Sequence, residues 1–137
     1  LDVSISADIE LELWRKFLVL TPASGMSCLT RLPMGRIRET PPSWRLIEEA
    51  MDELIAVGQA EGVGLGEADK QIGVRGIRDM MPPTWRGSLV LDLEAGRRLE
   101  VEWLHGTICR LGEKHGIDTP FHRVVLGALM PHANGAN

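Results

Sequence analysis

Lys16 sits in the segment LWRKFLVL, flanked almost wholly by apolar residues. A lysine in that setting has two uses. Its stem can lie on apolar surface while the ammonium reaches water, or it can face a cleft partly desolvated, ready to give up a proton near neutrality. A second group lies further along. Ser88 and Asp92 are spaced to share one face of a helix, and Glu100 follows the Gly96 turn at the head of the next helix. Position alone also accommodates Glu100 as a first-turn acid that complements the helix dipole, and Asp92 as a solvated surface charge.

Other chemistries find little support. The glycine cluster GVGLG at residues 62–66 follows a helical pattern, whereas a dinucleotide fingerprint needs a strand, a tight turn and then a helix. His105, His115, His122 and His132 lack the short helical spacing of metal ligands, so no metal site is expected. No nucleophile elbow is present. Cys28 and Cys109 are far apart and read as buried, reduced thiols of a cytoplasmic protein. A net charge of −4, with scattered Lys and Arg, argues against nucleic acid. No segment is apolar over the ~20 residues that a membrane span needs, and the acidic start LDVSISADIE does not read as a signal peptide. The chain begins without Met, which suits an excised or trimmed domain.

The elements that must position these residues read as helices. At 137 residues, with 44% hydrophobic and few aromatic side chains, the chain suits one domain cored by Leu, Ile, Val and Met. Ile9, Leu13, Phe17 and Leu20 form one stripe, with Ser6 as N-cap, Asp8 in the first turn, and Lys16 beside the stripe. Pro22 predicts a kink or an end, and ASGMSCLTRL a second helical segment. PMGRIRETPP predicts a connector. A helix capped by Ser43 carries Trp44, Ile47, Met51, Leu54 and Ile55 to a stop at Gly62. Residues 67–80 predict a weaker helix with Ile72, Val74 and Ile77, broken by Gly73 and Gly76. Thr84 caps a helix through Trp85, Leu89 and Leu93 to Gly96, although GSLVLDL alternates well enough for a strand. Val101, Leu104, Ile108 and Leu111 face one way on a helix ending near Gly116. Asp118-Thr119-Pro120 starts the last helix, which runs to about Met130, and the tail PHANGAN is expected to fray. The fold class is therefore all-α, with six or seven helices in a single domain over residues 1–137 and a core over about 6–132.

These blocks, in this order, resemble the C-terminal half of the ketopantoate reductase (2-dehydropantoate 2-reductase) family. GSLVLDLEAGRRLEVEWLHGTICRLGEKHGIDTP is similar to the family's signature of Ser and Asp, an E-x-G-R-x-x-E turn, a helix with R-L-G, and a T-P step. LWRKFLVLTPASGMSCLTRLPMGRIR is similar to its catalytic-lysine helix, and EEAMDELIAVGQAEGV to its long middle helix. The resemblance implies a helical domain of the 6-phosphogluconate dehydrogenase C-terminal type. It also implies an N-terminal Rossmann domain holding NADP(H), absent from this chain, which binds no cofactor alone. Lys16 would be the general acid for a 2-oxo acid's carbonyl oxygen, Glu100 the second catalytic acid, and Ser88, Ser24 and Asp92 substrate-binding. The family has Asn four and eight residues after the lysine. Here those positions hold Leu20 and Ser24, which points to a 2-oxo acid or ketone other than ketopantoate, the precursor of pantothenate. A homodimer is implied as well. The competing expectation is a non-catalytic helical dimerisation or binding module derived from the same family.

Overall fold

The computed structural model describes residues 3–136, with side chains described from residue 9 onward. Among the described residues every regular element is helical. The order is α1 (Val3–Thr30), α2 (Met34–Arg38), α3 (Pro41–Ala60), α4 (Glu67–Arg75), α5 (Ser88–Glu94), α6 (Thr107–His115) and α7 (Pro120–Leu129). α4 runs on into a π-helical turn at Gly76–Met80, and another π-helical turn, Glu102–Gly106, leads into α6. A short 3-10 turn, Met130–His132, closes α7.

The long helix α1 is the axis of the fold, and it does not end at Pro22. Pro22 deprives the Leu18 carbonyl of its helical donor, a loss that costs about 3 kcal/mol or more in an isolated helix. Here residues 21–28 are all buried, so packing from every side holds the segment helical. In the turns on either side of Leu18, Thr21 Oγ1 donates to the Phe17 carbonyl at 2.8 Å and Ser24 Oγ to the Leu20 carbonyl at 2.5 Å. The expected break is thus absent. Ser6 lies inside α1 and not at its cap; its side chain and that of Asp8 lie outside the description.

The core face of α1 also differs from expectation. Trp14 and Leu18 are buried, whereas Ile9 is 64% and Leu13 49% exposed. The segment is apolar on two sides, and periodicity alone does not select between them. α3 lies against α1, and on its predicted apolar face Trp44, Ile47, Met51 and Leu54 are buried. It begins at Pro41, earlier than the expected Ser43 cap, because two prolines fit the first turn of a helix.

The remaining boundaries shift for local reasons. The connector after α1 contains the short helix α2, whose Met34 and Ile37 are buried. Gly73 does not break α4; it sits close to the Met51 and Leu18 side chains and lets α4 approach the core. α5 begins at Ser88 and not at Thr84, after Gly87 turns the chain with φ +84°. GSLVLDL is helical from Ser88 onward. The stops at Gly62, Gly96 and Gly116 stand where expected. The tail does not fray within the described residues. The Leu99 amide donates to the Ala133 carbonyl and the Ala136 amide to the Gly96 carbonyl, both at 3.0 Å.

Candidate functional site

Lys16 projects from α1 into an open groove of about 770 Å³ lined by Ile9, Glu12, Leu13, Arg15 and Ile72. Its neighbour Arg15 is engaged elsewhere. The Arg15 Nε donates to Asp69 at 2.7 Å, and Asp69 in turn accepts from the Gly66 amide at 2.9 Å. Burial alone would raise the Asp69 pKa, but the guanidinium and the amide outweigh it and hold the carboxyl below its usual range. This clasp fixes α4 beside the groove. Of the three lysines in the chain, Lys70 pairs with Asp52 and Lys114 with Glu61. Lys16 has no ion-pair partner among the described residues and is exposed. Any burial of its ammonium requires a second surface laid over Ile9, Leu13 and Ile72.

Glu100 is exposed just ahead of the π-helical turn, beside Arg98, Leu99, Glu102 and the exposed Trp103. Ser88 is exposed at the first turn of α5. Asp92 accepts from the Arg97 Nε at 2.8 Å and locks the turn that leads to Glu100. Ser24 is buried, its hydroxyl committed to the Leu20 carbonyl. Among the described residues no hydrogen bond or ion pair joins any two of Lys16, Ser24, Ser88, Asp92 and Glu100, and Lys16 and Glu100 border separate concavities. The helices that bear them do meet. His105 Nε2 donates to the Thr21 carbonyl at 2.9 Å. Lys16 precedes Thr21, and Glu100 precedes His105, by five residues each, about 7.5 Å along a helix.

Behind that crossing lies a polar cluster that sequence spacing did not reveal. Glu53 of α3 accepts from the Phe121 amide at 2.9 Å, the His122 amide at 3.2 Å and His122 Nδ1 at 2.7 Å. It thereby satisfies the free amides at the start of α7. The Thr119 side chain, the expected cap, makes no such bond. His105 and His122 are fully buried with ring centroids 5.7 Å apart. They lie 17 positions apart on different elements, so no local pattern pairs them. Burial pushes the Cys28 thiol up to about 11 and raises that of Cys109, which leaves neither as a nucleophile at neutral pH.

The GVGLG loop does not fit a dinucleotide. Val63 and Leu65 turn into the core, and the first turn of α4 that follows bears Glu67 and Asp69, which repel phosphate. No described helix is long and apolar enough to cross a membrane.

Comparison with known proteins places this fold. The fold is that of the helical domain of a ketopantoate reductase from Staphylococcus aureus, described as dimeric, with TM-score 0.84, 25% identity, and coverage of 91% of this chain and 43% of that one. A PanE/ApbA family ketopantoate reductase from Ralstonia eutropha matches with TM-score 0.79 and 32% identity over 89% of this chain and 40% of its own. The 2-dehydropantoate 2-reductase of Archaeoglobus fulgidus is 32% identical over 122 residues, 89% of this chain and 40% of that protein. Residues 8–133 match the family model "Ketopantoate reductase PanE/ApbA C terminal". The chain belongs to this family as its C-terminal, all-helical domain. It spans about 40% of the length of the relatives it matches.

Proposed function

We propose that this chain is the substrate-binding half of an NADP(H)-dependent reductase of 2-oxo acids, with Lys16 as its general acid. The observation that supports this most is the environment of Lys16: an exposed side chain, without an ion-pair partner among the described residues, in a largely apolar groove that no described side chain covers. In this reading a Rossmann domain in the rest of the parent protein covers Ile9, Leu13 and Ile72, and that domain holds the cofactor, which supplies hydride. Residues of this chain bind and protonate. The Lys16 ammonium stabilises the charge that develops on the substrate carbonyl oxygen and donates its proton there. Glu100 accepts a hydrogen bond from the substrate's hydroxyl side. Ser88 contacts the substrate, and Asp92 acts through Arg97 to hold the Glu100 turn. Ser24 serves substrate only by releasing the Leu20 carbonyl. Leu20 in place of an amide favours a 2-oxo acid or ketone with an apolar side chain over ketopantoate. The parent is read as a cytoplasmic homodimer.

The test is steady-state kinetics of the parent protein, following dinucleotide oxidation with a panel of 2-oxo acids. Lys16→Ala is expected to lower kcat by ~10²–10⁴, the usual worth of a positioned general acid, with unchanged folding by circular dichroism. A variant within a factor of three of wild type would sink the assignment.

A further inference from the structure

The buried histidine pair contains an unmet hydrogen-bonding demand. His105 meets a carbonyl through Nε2, so the proton of that ring is on Nε2. His122 meets a carboxylate through Nδ1, so its proton is on Nδ1. The second nitrogen of each ring, His105 Nδ1 and His122 Nε2, is buried without a protein partner. Native interiors rarely leave such polar atoms unserved. Two such atoms lie on rings whose centroids are 5.7 Å apart.

We infer that His105 Nδ1 and His122 Nε2 together bind one buried water molecule, which donates one hydrogen to each. A water at ~2.8 Å from both nitrogens is compatible with the ring spacing, and two to four polar partners are what a buried water requires. A metal ion suits the pair poorly. Both Glu53 oxygens are engaged by α7 and His122, and no group of three or more His, Cys, Asp or Glu suited to a metal gathers among the described residues, whereas a closed zinc site takes four ligands.

With the water in place the polar link is continuous. Glu53 of α3 holds His122 of α7, the water joins His122 to His105, and His105 holds the Thr21 carbonyl of α1 next to Pro22. Three helices are thereby tied to the turn that follows Glu100, at the point where α1 lacks a backbone bond. The site is independent of the reductase reading and stands or falls on its own.

The test is a high-resolution crystal structure of this chain at pH 7, with long-range ¹H–¹⁵N correlation spectra of its imidazoles. One solvent peak within hydrogen-bond distance of both nitrogens is expected. The spectra should place the proton of His105 on Nε2 and that of His122 on Nδ1, with both bare nitrogens shifted as hydrogen-bond acceptors and a cross-peak from ring protons to slowly exchanging water. An empty gap, an anomalous-scattering metal peak, a direct bond between the rings with His122 doubly protonated, or either ring in the opposite tautomer would each overturn the inference.

Discussion

Two buried groups outside the candidate site make residue-scale predictions. His105 is kept neutral first by burial and then by its neighbour His122, against the favourable Thr21 carbonyl, and its pKa is pushed down to about 3. The unfolded chain, with a histidine near the ordinary ~6.5, therefore takes up this proton before the folded chain does. Stability from this residue is complete above that value and is lost as pH falls from about 6.5 towards 3, with a slope of up to ~1.4 kcal/mol per pH unit. His122 is the titratable side chain packed against it. Urea denaturation at a series of pH values should reveal this decline, and His105→Gln should flatten it. Glu53→Ala removes one acceptor from three buried donors, and should cost about 3 kcal/mol or more at pH 7. A loss below ~1 kcal/mol would mean that the amides at the start of α7 find another partner.

At the scale of elements, α1 separates two readings of one helix. Leu18 faces the core with no exposure and Leu13 faces the groove. Leu18→Ala should cost ~2–5 kcal/mol, while Leu13→Ala should stay within ~0.5 kcal/mol, as surface substitutions do; equal losses in thermal melts would contradict the observed rotation of α1. The same helix marks what sequence could and could not reveal. Helix existence was legible from periodicity, and the Gly96, Gly116 and Thr119-Pro120 boundaries from local chemistry, because those signals act within a few residues. Continuity through Pro22 was not legible, since it depends on burial of residues 21–28 by other elements. Nor was the tail, whose order rests on bonds to Gly96 and Leu99 far up the chain. The candidate site divides the same way. Lys16 and Glu100 stood out by type and motif, but the Glu53–His122–His105 cluster is assembled only by tertiary packing, and the Asp92–Arg97 pairing only by the Gly96 turn.

At the scale of the molecule, the groove with Lys16 and the cleft with Glu100 are two open surfaces of a domain that is 40% of its relative's length. Their apolar margins at Ile9, Leu13 and Ile72 and at Trp103 make sense as surfaces to be covered. The decisive observation is a crystal structure of the parent protein with its dinucleotide and an unreactive 2-oxo acid analogue. Lys16 Nζ should lie ~2.6–3.2 Å from the analogue's carbonyl oxygen, with Glu100 lining the same closed cleft. Lys16 left facing bulk solvent, or Glu100 on the opposite side from the bound analogue, would contradict it.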